Sequence, residues 1–110
     1  LFPYTTLFRS SDIMYAIAFD MTVADLEEYY GKPYNNAYYE ISNVLQEYNF
    51  FRTQGSVYLS QNTNMANLVE AIDALASIEW FANSVRDIRA FRIEDWSNLT
   101  KIVKKKATNQ

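Results

Sequence analysis

Met14-Tyr15-Ala16-Ile17-Ala18-Phe19-Asp20 is a run of six apolar residues closed by a carboxylate. An apolar stretch of this length, carrying Tyr, Ile and Phe and stopping at a polar residue, reads as a strand buried on both faces, in the middle of a sheet. Successive side chains point to opposite faces, so Tyr15, Ile17 and Phe19 give one bulky face while Met14, Ala16 and Ala18 give one that is mostly small. The bulky face suits helices laid across the sheet; the small face lets a second layer approach closely. Asp20 falls at the strand's end on the small-residue face. A carboxylate there is costly unless it is paired, hydrogen-bonded or bound to a metal, which makes it the first candidate functional residue.

Working outward, Met21 to Tyr30 has helical spacing at Val23, Leu26 and Tyr30, and Gly31 followed by Pro33 marks its end. A longer helix is expected from Asn35 to about Tyr48, with Ala37, Ile41, Val44, Leu45 and Tyr48 on one stripe. Phe50 to Leu59 then reads as a strand, a tight turn containing Gly55, and a second strand. Asn62, Thr63 and Asn64 supply caps for a second amphipathic helix carrying Met65, Leu68, Ile72 and Leu75. Val85 to Ile93 is a fourth strand. Trp96 to Val103 is a short amphipathic segment, and Lys104-Lys105-Lys106 begins a basic tail expected to be mobile.

The order strand, helix, strand, strand, helix, strand is that of an α+β, ferredoxin-like βαββαβ sandwich, with an antiparallel sheet and helices on one face. Right-handed crossovers put the first and third strands at the centre and the fourth against the first. The helix-free face needs a cover. In so short a chain the natural cover is the same face of a second copy, with Ala16 and Ala18 in or near the contact.

Composition narrows the chemistry. The 110 residues contain no Cys and no His, so disulfides, thiolate metal sites and imidazole bases are absent. Chemistry must come from Asp, Glu, Ser, Thr, Tyr, Lys or Arg. The net charge of -3 argues against a surface coated with phosphate contacts and allows a local basic patch. A domain of this size buries only about 60 to 65% of its unfolded surface, which favours dimerisation. No run approaches a membrane span and no signal peptide is evident, which places the chain in the cytoplasm. Leu1 to Ser10, LFPYTTLFRS, is similar letter for letter to one reading frame of a common sequencing-library adapter. Residues 1–13 are therefore expected to be an artefactual or upstream tail, 14–103 the domain and 104–110 a basic tail.

MYAIAFDM (Met14 to Met21), FRTQGSVY (Phe51 to Tyr58), NMANL (Asn64 to Leu68) and SVRDIRAFRIEDWS (Ser84 to Ser97) resemble virulence-associated protein D, a bacterial toxin of toxin–antitoxin systems. The strand ending in Asp, the hairpin and the V-R-x-I strand are more distantly similar to the ferredoxin-like CRISPR-associated endoribonuclease of spacer acquisition. The resemblance implies a homodimer that cleaves RNA and is held by a cognate antitoxin protein. Carried over residue by residue, it puts functional weight on Asp20, Ser56 and Asp87. Leu26 also falls at a sensitive position, but an apolar residue there is read as packing.

Antiparallel pairing of the fourth strand with the first makes Asp20 and Asp87 expected neighbours. The third strand is taken as parallel to the first, which puts Ser56 toward the opposite end. Each residue has a structural alternative: Asp20 as a cap, Asp87 as an ion pair with Arg86 or Arg89, Ser56 as a turn residue bonding its own backbone. Arg86, Arg89 and Arg92 are candidate RNA contacts, with a solvated edge strand as the alternative. RNA cleavage needs a base, stabilisation of phosphorane charge and a proton for the leaving oxygen. Without His, a carboxylate is the good base at neutral pH. Two Asp20 residues facing each other across a dimer could share a Mg²⁺, the one cofactor this chemistry suggests, or raise each other's pKa. The rival reading is a catalytically silent dimer acting as a scaffold or binding module. It gains if backbone donors fully satisfy the Asp20 carboxylate.

Overall fold

The Met14–Phe19 run lies at the heart of a computed structural model that describes residues 13–108. The expected upstream tail falls outside the described residues except for Ile13. Nine elements follow in order: β1 (Met14–Met21), α1 (Val23–Tyr29), α2 (Asn35–Gln46), β2 (Phe51–Gln54), β3 (Val57–Ser60), α3 (Met65–Ala76), α4 (Glu79–Ser84), β4 (Val85–Ile93) and α5 (Thr100–Thr108). The strands form one sheet of order β2-β3-β1-β4, with every neighbouring pair antiparallel. This is the expected ferredoxin-like sandwich. The expectation that the third strand runs parallel to the first is corrected: β3 is antiparallel to β1. The crossover through α2 makes β2 the parallel strand, and the β2–β3 hairpin then reverses the chain before it reaches β1.

β1 divides the two layers as its alternation predicts. Ile17 and Phe19, helped by Tyr15 and Met21, pack on the helices through Ile41 and Leu45 of α2, Leu68, Ala71 and Leu75 of α3, and Phe81 of α4. Phe19 is the hub: it stacks on Tyr58 at 6.0 Å between centroids and meets Phe81 edge-on at 5.4 Å. Leu26 of α1 is fully buried, in keeping with a packing role. Local chemistry sets the helix ends. Thr22 Oγ1 accepts the Asp25 N–H at 3.1 Å, and Asn64 Oδ1 accepts that of Ala66 at 2.9 Å. Gly31, at φ +115°, donates its N–H to the Leu26 carbonyl and closes α1, a conformation that favours glycine. The Tyr30 hydroxyl donates to Glu40 at 2.6 Å and ties that junction to α2; this bond raises the phenol's pKa.

The helix-free face is less bare than expected. Met14, Ala16 and Leu59 form a second buried cluster, flanked by Phe51, Ile93 and Trp96. After β4 the chain therefore turns under the sheet and lays Trp96 against the end of β1 away from Asp20. Ala16 is fully buried within one chain, so of the two alanines only the half-buried Ala18 remains for a contact between copies. Lys104, Lys105 and Lys106 lie within α5 as regular helix.

Candidate active site

Asp20 and Asp87 are directly opposed across the β1–β4 ladder, as antiparallel pairing predicts. Opposed residues in a sheet share a face with Cβ atoms roughly 4.5 to 5.5 Å apart, and like charges so placed repel. Two arginines of β4 offset that repulsion. Arg89 Nε donates to Asp87 Oδ2 at 3.0 Å, and Arg86 Nε lies 3.9 Å from Asp20 Oδ2. Both pairs are open to solvent, with side-chain exposures of 63% for Asp20 and 51% for Asp87, so they are weak and readily exchanged for another partner.

A bulge sets this arrangement. Asp20 pairs with Asp87 while Met21 pairs with Val85, leaving Arg86 as the extra residue on β4. Bulges bend a strand and re-aim the side chains beside them. Here the extra residue brings Arg86 beside Asp20. The sequence reading did not foresee the bulge, because nothing in Ser84-Val85-Arg86-Asp87 distinguishes a bulged strand start from a regular one.

Ser56 is placed by the corrected topology. Because β3 runs antiparallel to β1, its first residues lie beside the last residues of β1. Phe19 N–H donates to the Ser56 carbonyl at 3.1 Å, one residue from Asp20. The expectation that Ser56 falls at the opposite end is thus overturned. The hairpin turn that carries Ser56 is held by Arg52 Nε donating to the Gly55 carbonyl at 2.7 Å, and Gly55 takes φ +46°. Three sequence candidates, Asp20, Ser56 and Asp87, therefore gather at one end of the sheet. Arg86 and Arg89 join them. Arg92 does not: it opposes Tyr15 at the other end of β4 and lines a groove on the helix side.

Among the described residues, the Asp20 carboxylate meets Arg86 and no backbone donor, so the capping role that would favour a silent scaffold is not fulfilled. No group of three or more acidic side chains suited to a metal occurs among the described residues. Asp20 and Asp87 still offer two hard oxygen donors on an open face. That number suits Mg²⁺, which keeps several waters and takes one or two carboxylates together with substrate phosphate.

The family model for CRISPR associated protein Cas2 matches residues 13–101. The chain is 75% identical to Endoribonuclease VapD 1 of Riemerella anatipestifer over 89 residues, covering 81% of this chain and 100% of that protein. The chain belongs to the VapD family. Endoribonuclease VapD of Dichelobacter nodosus is 57% identical over 91 residues (83% of this chain, 98% of that protein). Endoribonuclease VapD of Haemophilus influenzae is 50% identical over 91 residues (83% and 99%). The residues matched by the family model take in both strands of the site, β1 ending beside Asp20 and β4 beginning with the bulge.

Proposed function

We propose that this chain is an endoribonuclease that acts as a homodimer, with Asp20 and Asp87 at the β1/β4 end of each copy supplying its carboxylates. The observation that carries this reading is the cross-strand opposition of two exposed aspartates, each paired to an arginine and, among the described residues, neither satisfied by backbone. It is supported by membership in a family whose relatives are named endoribonucleases. Asp20 takes the proton of the attacking hydroxyl, Arg86 and Arg89 neutralise charge on the phosphate after releasing their aspartates, and the P–O bond to the leaving oxygen breaks as water protonates that oxygen, Asp20 returning its own proton to solvent. Ser56, at the same end of the sheet through its carbonyl's bond to the Phe19 N–H, is assigned as a further contact to substrate. Mg²⁺ held by Asp20 and Asp87 would supply charge neutralisation at the same phosphate. We assign the chain to the cytoplasm as the toxin of a toxin–antitoxin pair, with RNA as substrate and a cognate antitoxin protein as partner. No helix of the described residues is long and apolar enough to cross a membrane.

The dimer uses the Asp20 half of the helix-free face, where Ala18 and Val57 are only partly covered. Ala18→Phe should overpack that contact, weakening association by about 1 to 3 kcal/mol, read by sedimentation equilibrium. An unchanged dissociation constant would move the interface elsewhere. The function itself is tested by incubating the purified chain with end-labelled RNA, with and without EDTA. Internal cleavage is expected in the untreated sample, and its loss under chelation would assign the carboxylates to Mg²⁺. Intact RNA in every lane, from protein shown to be folded and dimeric, would return the scaffold reading to first place.

A further inference from the structure

Arg92 is the arginine of β4 that the carboxylate site leaves unused. Arg86 and Arg89 are each held by an aspartate, whereas Arg92 makes neither an ion pair nor a hydrogen bond among the described residues. It lies opposite Tyr15 in the wall of a groove of about 360 Å³, which is otherwise lined by Met65 and Leu68 of α3 and by Ala90 and Phe91 of β4. The groove is therefore apolar and partly aromatic, and its single charge is positive. Phe91 connects it to the site. Alternation along the strand puts Phe91 on the face of Asp87 and Arg89, yet it also lines the groove, so the groove opens across the β4 edge onto that face. This edge is open, because in the order β2-β3-β1-β4 the last strand is the outermost. Phe91 is 45% exposed there and has no ring partner among the described residues.

We propose that this groove is a subsite for the RNA substrate, seating a nucleotide away from the scissile bond with its base against Phe91 and Tyr15 and its phosphate on Arg92. The subsite deepens the ribonuclease function proposed above and rests on it. Charge and chemistry select the occupant. An unpaired guanidinium in an acid-free groove takes an anion, and aromatic, apolar walls take a flat ring. A nucleotide carries both, since an arginine fork fits phosphate oxygens and bases stack on aromatic side chains. Continuity with the site selects RNA over an acidic peptide. Asp87, Arg89 and Phe91 are alternate residues of one strand, which places Phe91 about 13 Å from Asp87 along β4. An RNA strand held by its scissile phosphate at Asp20 and Asp87 and following that row passes Arg89 and reaches the groove at the edge. The proposed dimer contact at Ala18 and Val57 lies on the inner strands β1 and β3 and leaves this edge uncovered. A chain of net charge -3 gives a polyanion no long-range attraction, so its substrate depends on local contacts of this kind.

The test is steady-state cleavage of a long, mixed-sequence, end-labelled single-stranded RNA by the full chain and by Phe91→Ala, Arg92→Gln and Arg92→Lys, over a range of salt concentrations. Both side chains are exposed, so the variants should fold, and thermal melts check that they do. Phe91→Ala should raise KM by about 5- to 100-fold, the effect of losing one stacked base. Arg92→Gln should raise KM as well and flatten the slope of log KM against log salt by about 0.7, the share of one phosphate contact on a single strand. Arg92→Lys should keep the parental slope. In every variant kcat should stay within about twofold of the parental value, because the contact holds ground state and transition state alike. If the unsubstituted chain cuts RNA while Phe91→Ala and Arg92→Gln keep its KM and salt slope, the subsite is overturned and the ribonuclease stands. A fall in kcat at constant KM would also overturn it. If RNA is bound but never cut, the ribonuclease fails and the same shifts are sought in the dissociation constant. RNA neither bound nor cut would remove both.

Discussion

Asp20→Asn should lower RNA cleavage by about 10²- to 10⁴-fold, the range for losing a general base, while leaving the fold and the dimer intact. Asn nearly preserves the shape and reach of Asp but cannot accept a proton usefully or hold a divalent cation as a charged ligand. The structural cost is small for two reasons. The carboxylate is 63% exposed and its ion pair with Arg86 spans 3.9 Å, so little native interaction is lost. Its removal also relieves the repulsion from Asp87 directly opposite. The net change in stability should stay within about 0.5 kcal/mol. Rates on labelled RNA at equal dimer concentration, with thermal melts alongside, check both halves. A variant that cuts at the parental rate would dissociate Asp20 from catalysis.

The largest effect on stability is expected at Phe81. Phe81→Ala should cost about 3 to 5 kcal/mol, read from urea denaturation. Phe81 is 2% exposed and meets Phe19 edge-on at 5.4 Å and Trp80 at 6.2 Å between centroids. Trp80 in turn meets Tyr30 at 4.8 Å. The cavity would open between α4 and the central strand, inside the cluster that Phe81 shares with Tyr58 and with Leu68, Ala71 and Leu75 of α3. A domain of this size has roughly 5 to 15 kcal/mol in total, so the variant would stand near its unfolding threshold. A loss below about 1 kcal/mol would mean that the α4 to β1 contact is not the centre of the core.

Much of this fold is legible in residue spacing because its elements are long enough to show a period. β1, α2, α3 and β4 each run eight residues or more, and their expected faces agree with the burial of Ile17, Ile41 and Leu75 and with the packing of Ile88 against the same core. The six-residue α4 is too short for a helical stripe. Its role depends on Phe81 meeting Phe19, two residues far apart in sequence. The opposition of Asp20 and Asp87 followed from strand direction alone. The place of Ser56 depends on the reversal at Gly55, which makes β2 the strand parallel to β1 and β3 the antiparallel one, so that β3 starts where β1 ends. The burial of Ala16 was missed for another reason: it depends on a single side chain, Trp96, returning under the sheet after an irregular segment that carries no periodic signal. The bulge at Arg86 is a backbone feature that residue types there do not encode, and it sets which arginine faces which aspartate.

The central claim, a ribonuclease site in which Asp20 works with Asp87 of its own chain, is tested most directly by co-expressing the chain with its Asp20→Asn form at graded ratios and measuring cleavage of labelled RNA by the resulting dimers. Activity should fall in direct proportion to the unsubstituted fraction, each copy keeping its own Asp20–Asp87 pair. A fall as the square of that fraction would show that one site needs Asp20 from both copies, and no fall at all would contradict a catalytic role for Asp20 altogether.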